Sequence, residues 1–555
     1  MKRIYCNGTI LTMAREGECV EALLTEGGLI RKTGELRKLL GENTDVEIID
    51  LQGRTLMPGF VDGHSHFLMG MKMAGMADLS GCSDYDDIIE AMKTFIEENK
   101  INESGVAVGW GYDHNFFPEE RHPDKKVLDK ISEKIPVCVV HSSGHMCCVN
   151  SILLKQAEIN EKTPDPAGGK IGRMKGSEEP DGYLEESAVF QSLETVEKRM
   201  RNMTPPSIAK AEQMYLENGV TTVQEGGASR QSLETLLELD GEGKLHLDVV
   251  AYPLAEEGAG NIARDFPECK MKYHNHVKIG GCKLILDGSP QGKSAWLTKP
   301  YEHSGNYCGY PRYSDDQVID FINGALADGL QVIAHCNGDG AGDQFLRCYE
   351  KACRMNGISD FRKLRPVMIH CQTARKDQLQ KMAKIHMIAS VFVGHVYYWG
   401  DIHMKNLGLE RGRNISPCRW ALDAEVPVNL HQDMPVTRPD MLHSIWCAVN
   451  RISRSGQIIG IDQRISIYEA FRAASYGGAY SYYEEKQKGT LEPGKRADMI
   501  VLDQNPFQIK PEEIKDIRVL QTIKDGSVVY RYERKVGCKK EMKKRKKSVD
   551  ISGMV

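Results

Sequence analysis

Two histidines separated by one residue are the most informative feature of the sequence. Residues 57–69 read MPGFVDGHSHFLM, an apolar strand-like run that ends in His64, Ser65 and His66. Because residues i and i+2 of a β-strand point to the same face, both imidazoles can reach one metal ion while Ser65 faces away. Neutral imidazole is the commonest nitrogen ligand of first-row metals, so this pair becomes a predicted metal site once further ligands are found.

Further candidate ligands lie in or just after strand-like runs later in the chain. The runs GCKLILDGS, LQVIAHCNGDG, RPVMIHCQ and VPVNLHQDMP contain Lys283, His335, His370 and Asp433. Taken singly, such a histidine is more typical of a hydrogen-bonded core residue, and such a lysine of a buried ion pair. The joint pattern favours a metal centre, because imidazole and carboxylate suit a first-row metal. A free Lys283 ammonium would repel the cation, whereas a lysine carboxylated by CO2 would be an anionic bridge between two ions.

Length and composition exclude several classes of protein. The 555 residues exceed one ordinary core and predict two or three domains, unless one of them is a large barrel. No apolar run reaches 18 residues, and the N-terminus turns polar too early for a secretory signal, so we expect no membrane span. Sixteen cysteines without a CxxC pair favour reduced thiols and a cytoplasmic location. Walker A and Rossmann glycine spacings are absent.

The C-terminal end has a different charge from the rest of the chain. Residues 534–547 carry nine Lys or Arg against one Glu, although the net charge of the whole chain is −5. Such a tail can touch nucleic acid or anionic lipid, but a frayed, solvated terminus is the simpler interpretation. We therefore predict that residues 534–555 form a disordered basic tail and expect no nucleic-acid partner. The sequence leaves a homo-oligomer open.

The remaining chain divides into layers. Short glycine-punctuated strand signals occupy residues 1–57 and return at 488–533, which predicts one discontinuous β-sandwich domain built from both chain ends. Strand-like runs alternate with helical patterns over residues 58–487. About eight such units favour a (β/α)8 TIM barrel of the α/β class, with its active site at the carboxyl ends of the strands. Residues 108–200 are interpreted as an inserted lid.

Several longer motifs resemble the amidohydrolase superfamily. They include PGFVDGHSH, VGWGYDHN, PVCVVHSSGHMCCVNS, VKIGGCKLILDGSPQGKSAWL, GHVYYWGDIHMKNLGLERGRNISP and KGTLEPGKRADMIVLDQNP. Their combination is most similar to the YtcJ-like branch of that superfamily, which includes N-substituted formamide deformylase. The resemblance extends over residues 1–533 and is specific for the family but not for a substrate.

The resemblance implies a metal-dependent hydrolase on a TIM barrel with a flanking β-sandwich. By this likeness, His64 and His66 hold the more buried ion, and His335 and His370 hold the more exposed one. Lys283, carboxylated, would bridge the two ions if both are present. The expected metal is zinc, as one ion or two.

The resemblance also assigns the general base. Asp433 would bind metal and move the proton during the reaction. The family often shows a Ser-Asp-Ala-Pro string where this chain has Gln432, Asp433, Met434 and Pro435. The aspartate and the proline are retained, while Met434 makes the adjacent wall larger and more apolar. The substrates of relatives are therefore not transferred to this chain.

A second group of residues is predicted to contact the substrate. His395, which we interpret as the end of the seventh strand, is expected to touch the scissile group or its oxyanion. The loop histidines His141 and His145 follow an apolar run in the insertion, and His145 is the stronger candidate. Asp287 follows Lys283 by four residues and is a candidate for contact with a ligand or the substrate. The remaining candidates are aromatic side chains that suit either a pocket or a core, namely Trp110, Tyr112, Tyr397 and Trp399.

The predicted function is metal-dependent hydrolysis of a C–N bond in a small-molecule amide of N-acyl or N-formyl type. Opening of a cyclic amide, or deamination, at the same site is the alternative reaction. A non-catalytic scaffold or regulatory protein with the same fold is the alternative of another class. That last option is disfavoured because all six candidate metal positions hold competent residues, whereas a degenerate member of the fold would be expected to lose some of them.

Overall fold

Parallel β-strands separated by helices form the centre of the molecule, which confirms the α/β class predicted from the alternating sequence patterns. The structure is a computed structural model that describes residues 1–114, 117–142, 146–166, 169–186, 188–189, 195–196 and 208–533. The predicted basic tail at 534–555 lies outside the described residues. None of the helices within the described residues is long and apolar enough to cross a membrane.

The N-terminal segment is made of short strands. Its elements are β1 (Lys2–Cys6), β2 (Thr9–Leu11), β3 (Cys19–Val20), β4 (Ala22–Glu26), β5 (Leu29–Gly34), α1 (Leu36–Glu42), β6 (Glu47–Asp50) and β7 (Thr55–Pro58). Strands β5, β4, β1 and β6 form one sheet in that order. The hairpin between β4 and β5 turns through Gly27 and Gly28, whose φ angles are 60° and 78°. A two-residue hairpin with positive φ at both positions requires residues such as glycine.

After the first strand of the central region, β8 (Phe60–Val61), the chain leaves to form an inserted unit. Its elements are α2 (Phe67–Met73), β9 (Ala77–Asp78), α3 (Tyr85–Glu98), β10 (Ala107–Tyr112), α4 (Lys125–Asp129), β11 (Val137–His141), β12 (Met146–Val149), α5 (Ser151–Gln156), β13 (Gly169–Arg173) and β14 (Pro180–Glu186). These strands form a sheet in the order β13-β14-β12-β11-β10-β9. The sheet therefore begins at β9, before the boundary at residue 108 that the sequence suggested.

The central region then continues as alternating strands and helices. Its elements are α6 (Ile208–Leu216), β15 (Val220–Ala228), α7 (Arg230–Gly241), β16 (Asp248–Pro253), α8 (Ala259–Asp265), β17 (Val277–Ile279), β18 (Gly281–Ile285), α9 (Asp315–Ala327), β19 (Gln331–Cys336), α10 (Asp339–Met355), β20 (Val367–His370), α11 (Lys376–Lys384), β21 (Ile388–Val391), α12 (His395–Gly412), α13 (Cys418–Asp423) and β22 (Val428–Leu430). Most of these strands are buried along their whole length, as expected when helices cover both faces of a parallel sheet.

The central strands form two parallel sheets whose edges meet on both sides. One sheet has the order β17-β16-β15-β8, and the other runs from β18 through β19, β20 and β21 to β22. The Gly63 amide after β8 donates to the Leu430 carbonyl of β22 over 3.2 Å. On the opposite side, Leu254 after β16 forms a parallel bridge to Lys283 of β18. The two sheets thus touch at Gly63 and at Leu254, and the carboxyl ends of the strands within each sheet lie along one edge.

The C-terminal segment returns to the N-terminal strands. Its elements are α14 (Met441–Asn450), α15 (Ile467–Arg472), α16 (Gly478–Ser481), β23 (Met499–Leu502), β24 (Val519–Lys524) and β25 (Ser527–Arg531). A six-stranded sheet has the order β25-β24-β23-β7-β2-β3, so strands from both chain ends pair directly. One hydrophobic cluster joins this sheet to the N-terminal one through side chains that include Tyr5, Leu23, Leu56, Met499 and Ile523. The domain boundaries themselves stay a prediction.

A buried ionic network fixes the C-terminal segment to the central strands. Asp248, the first residue of β16, contacts Lys488 over 2.5 Å and Lys524 over 3.0 Å, and it accepts a hydrogen bond from His276 over 3.0 Å. Lys488 also pairs with Glu484 over 2.9 Å. Burial alone would raise the pKa of Asp248, but Lys488 and Lys524 hold it well below its usual value. The carboxylate is therefore a stabilising anion at neutral pH.

We predict that Asp248→Asn destabilises the protein by about 3–5 kcal/mol, because two buried ammonium groups lose their shared partner. A depressed pKa gives stability that is complete above the unfolded value of 3.8 and is lost as the pH falls through the folded value. The difference in melting temperature between wild type and variant should thus persist from pH 8 down to about pH 4 and narrow only below it. Asp360→Asn, which removes an exposed ion pair with Arg362, is the control and should melt like wild type.

Candidate metal centre

The first histidine pair and the last aspartate meet at the mouth of the parallel strands. Oδ1 of Asp433 lies 3.4 Å from Nε2 of His64 and 3.5 Å from Nε2 of His66. Two ligands of one tetrahedral zinc ion, with bonds of about 2.1 Å, are separated by about 3.4 Å. The three donor atoms therefore have the spacing of ligands around a single ion. They form one of two groups of potential metal ligands found among the described residues.

Backbone contacts between two loops create this spacing. Strand β8 ends at Val61, so both histidines belong to the loop and the start of α2 rather than to the strand. The Asp433 amide donates to the His64 carbonyl over 3.1 Å, and the His66 amide donates to the Met434 carbonyl over 2.8 Å. Asp433 adopts a left-handed backbone with φ of 55°. Such strained residues persist where surrounding contacts hold them, and they cluster at functional sites.

The orientation of the His64 ring is set by its other nitrogen. Nδ1 of His64 lies against Oε1 of Gln224, and the Gln224 amide donates to the Gly63 carbonyl over 3.3 Å and to the Tyr482 hydroxyl over 3.1 Å. With its acceptor oxygen turned to the ring, Gln224 fixes the proton on Nδ1 and leaves Nε2 with a free lone pair. This second hydrogen bond is the usual companion of a histidine that binds metal.

The other three predicted ligands converge on the same place. Nζ of Lys283 lies 3.0 Å from Nε2 of His64, and Nε2 of His370 lies 2.9 Å from Nδ1 of His335. The His64 and His370 rings are 5.7 Å apart between centroids. Lys283 is only 1% exposed and points inward from β18. The structure thus brings together all six residues that the sequence predicts as metal ligands. Their role as ligands stays a prediction.

The electrostatics of the cluster suit a cation. Burial, followed by the charge of Lys283, lowers the pKa values of His66 and His335 to about 3, so both rings are neutral, which is the form that binds metal. Burial raises the pKa of Asp433 and lowers that of Lys283. Oδ1 of Asp433 is buried and has no hydrogen-bond partner within the described part of the chain. A buried carboxylate oxygen without a donor, facing the imidazole nitrogens of His64 and His66, fits a divalent metal ion.

Asp287 lies behind the cluster as a support. Its carboxylate accepts hydrogen bonds from the backbone amides of Trp296, Asn337 and Gly338 over 2.7–3.0 Å. Oδ1 of Asp287 is 3.7 Å from Nε2 of His335. Burial raises the pKa of Asp287 to about 7, although the three amide donors oppose this shift. We conclude that Asp287 positions the loop after His335, and its contact with a ligand or the substrate stays a prediction.

His395 occupies a different position from the predicted one. Strand β21 ends at Val391, and His395 is the first residue of α12, so it does not end a strand. Its Nδ1 pairs with Nε2 of His403 over 2.9 Å, and its ring packs on Phe392 and Trp399 at centroid distances of 4.7 and 4.6 Å. Residues 392–394, which continue the apolar run in the sequence, make the turn from strand to helix.

Three of the aromatic candidates line a cleft, and the fourth is buried in a hydrophobic core. A cavity of about 620 Å³ beside the centre is lined by Trp110, Tyr397 and Trp399. Tyr112, in contrast, is fully buried inside the insertion, where its hydroxyl contacts Nδ1 of His122 over 2.8 Å. Tyr112 is therefore not a substrate contact, because it packs in the core of the inserted sheet. His145 lies outside the described residues.

One residue of the centre was missed by the sequence analysis. His431 is fully buried, and its ring lies 5.3 Å from that of His64 and 5.2 Å from that of His370. Neither ring nitrogen has a hydrogen-bond partner of normal geometry in the described structure. The sequence does contain a signal, because His431 precedes Asp433 by two residues in the run VPVNLHQDMP.

Histidines and a carboxylate at the carboxyl ends of parallel strands define an α/β protein with a candidate metal centre. Comparison with known proteins narrows this class: the model of the Amidohydrolase family matches residues 47–530, and the chain belongs to that family.

Two curated relatives and a solved structure are similar over most of their length. YtcJ of Bacillus subtilis is 27% identical, with 96% of this chain and 99% of the relative covered. The N-substituted formamide deformylase of Arthrobacter pascens is 26% identical, with 95% and 98% covered. The crystal structure of a metal-dependent hydrolase from Pyrococcus furiosus superposes with a TM-score of 0.72 at 24% identity, covering 92% of this chain and 100% of that chain. That last likeness concerns the fold alone.

We predict that Gly226→Ala weakens metal binding by about 10–100-fold, the range seen when the support of a ligand is disturbed. A Cβ at residue 226 would lie 2.4 Å from Cε1 of His64 and 2.9 Å from the Ser65 carbonyl oxygen, so the imidazole must move. The neighbouring Gly227→Ala is a matched control, because its Cβ would meet nothing closer than 3.7 Å. Metal dissociation constants measured by competition with a chelator distinguish the two, and equal affinities would contradict the proposed packing.

Proposed function

We propose that the protein is a metal-dependent hydrolase that cleaves the C–N bond of an amide of N-acyl or N-formyl type. The observation that carries this proposal is the buried, unpartnered Oδ1 of Asp433 facing the nitrogens of His64 and His66. Membership of the Amidohydrolase family and the likeness to an N-substituted formamide deformylase support the choice of bond.

We assign the ligands in two groups. His64, His66 and Asp433 are proposed to hold one ion, for which zinc is the first candidate. His335 and His370 are proposed to hold a second one, with Lys283 carboxylated as the link between the groups. The position of Lys283 supports this role: burial lowers its pKa, and only the neutral amine reacts with CO2. The carbamate formed would replace a buried cation by an anion beside the histidines.

The chemistry assigned to the protein itself is proton transfer. When bound, a divalent metal lowers the pKa of water toward ~7 and polarises the substrate carbonyl. Asp433 accepts the proton of the attacking water at its carboxylate and returns it to the departing nitrogen, so that the amide and water give a carboxylic acid and an amine. Burial favours this shuttle, because it raises the pKa of Asp433 from that of an exposed carboxyl toward the range of a general base.

The cleft supports an apolar substituent on the amide. Its wall includes Met73, Met214 and Met434 together with Trp110 and Trp399. Methionine fills irregular shapes and adapts to different ligands. Met434 directly follows the proposed base, so an apolar group of the substrate would lie next to the scissile bond.

The architecture is part of the proposal. We propose that the two parallel sheets close into one (β/α)8 barrel over residues 58–487, because their edges meet at Gly63 and at Leu254. Residues 1–57 and 488–533 would form the β-sandwich domain, since strands from both segments share a sheet and a hydrophobic cluster.

Asp433→Asn should fold, retain metal through the histidines and lose turnover by at least about a hundredfold, the lower end of general acid–base contributions. The amide side chain is nearly isosteric but cannot accept a proton at neutral pH. Turnover is measured on N-formyl and N-acyl amines with apolar substituents. His395→Ala, which removes a buried ring outside the ligand cluster, is the comparison and should lose less. A near wild-type kcat for Asp433→Asn would refute the assignment of the base.

Lys283→Ala should lose metal and activity together, and short carboxylic acids such as formate or acetate should restore part of both. The reason is that a free carboxylate can occupy the space of the missing carbamate. Metal content by elemental analysis and turnover with and without added acid measure the effect. Lys278→Ala, which removes another buried lysine paired with Glu484, is the control, and no added acid should rescue it. If added acid restores neither metal content nor turnover in Lys283→Ala, the lysine is an ordinary buried amine and not a carboxylated ligand.

A further inference from the structure

The inserted unit contains a second group of potential metal ligands. Strands β10 and β11 are parallel neighbours, and Tyr112 is paired with His141 in their register. Asp113 and His114 directly follow β10, while His141 is the last residue of β11. Two adjacent carboxyl ends therefore place one carboxylate and two imidazoles side by side, on a sheet that contributes nothing to the centre described above.

The donor atoms have the spacing of metal ligands. Nδ1 of His114 lies 3.3 Å from Nε2 of His141, and the same Nε2 lies 3.5 Å from Oδ1 of Asp113. One ligand atom from each of the three residues falls within 4.8 Å of the other two. The two short distances match the separation of about 3.4 Å between ligands on a tetrahedral zinc ion. They are close to the distances of 3.4 and 3.5 Å between Asp433 and the two histidines of the central cluster.

We propose that Asp113, His114 and His141 bind a divalent first-row metal ion, with zinc as the first candidate, on the wall of the substrate cleft. Two imidazoles and one carboxylate are a donor set that zinc accepts readily. The site is separate from the centre of the parallel strands, and the proposal stands whether or not the proposed hydrolysis is correct.

The surroundings hold the His114 ring in place. The His122 ring lies over it at a centroid distance of 3.8 Å, and Nδ1 of His122 is bound by the hydroxyl of the buried Tyr112 over 2.8 Å. Tyr112 also contacts Cys148 over 3.3 Å, so this chain of contacts ends in the core of the insertion. A ligand whose orientation is fixed before the ion arrives loses less conformational freedom on binding it.

The location indicates what the ion would do. Asp113 and the next residue after His141, Ser142, both line the cleft that also contains Met434. Three protein ligands leave one position of a tetrahedral ion open, which is the pattern of zinc sites that exchange a ligand, whereas structural sites use four. The open position would therefore face the cleft and accept an oxygen of a bound molecule, with a carboxylate as the best match for a site of net positive charge.

The test is the metal stoichiometry of the full-length protein. The apoprotein, prepared with a chelator, is dialysed against buffered free zinc, and bound zinc is measured by elemental analysis for wild type, His114→Asn, Asp113→Asn and His443→Asn. His443 lines the same cleft away from the three ligands, so its variant controls for the loss of one histidine. We expect wild type and His443→Asn to bind one equivalent more than His114→Asn and Asp113→Asn.

A second readout identifies the geometry. Cobalt(II) in place of zinc should give the intense visible absorption bands of a tetrahedral site. His114→Asn should lose part of this spectrum. His335→Asn, which alters only the central cluster, should retain that part. Circular dichroism establishes that each variant is folded, and Asp113→Asn decides the question if His114→Asn is not. Equal zinc stoichiometry and affinity in wild type and the folded variant would overturn the proposal and leave the three residues as a hydrogen-bonded cluster.

Discussion

A buried carboxylate oxygen without a donor is the constraint on which the centre depends. Oδ1 of Asp433 faces two imidazole nitrogens and no hydrogen-bond partner in the described structure. Leaving such a group unpaired costs free energy, and the cost is tolerable only if something else satisfies it. The left-handed backbone of Asp433 and the amide contacts to His64 and Met434 show that the chain holds this arrangement against strain. The contacts between the loops after β8 and β22 therefore hold this oxygen atom in place against the two histidines.

The six central residues were predictable because each lies in or just after an apolar run, and the carboxyl ends of parallel strands share one edge. The reason was only partly right: His64 and His66 lie beyond the end of β8, so their convergence comes from loop contacts and not from strand alternation. Lys283 was placed correctly because it lies within β18 itself. Burial of a lysine among histidines, however, is a property of the packed structure and has no local signature.

The insertion shows where sequence patterns fail. Alternation along β10 would put Trp110 and Tyr112 on one face, but the register shifts between them at Gly111, whose φ is 97°. Trp110 therefore faces the cleft, while Tyr112 enters the core. The group of Asp113, His114 and His141 was also hidden, since it exists only because β10 and β11 are neighbours. These residues belong to two separate motifs, and no local sequence pattern connects them.

The buried network around Asp248 has a consequence for biosynthesis. Its partner Lys488 is 240 residues further along the chain, and Lys524 later still. At ~5–20 residues per second, the ribosome needs on the order of ten to fifty seconds to supply the first of these cations after the aspartate. During that interval the carboxylate at the N-terminal end of β16 lacks both ammonium groups that pair with it in the finished protein. Burial of Asp248 among its two ammonium partners therefore has to wait until Lys488 and Lys524 have been synthesised.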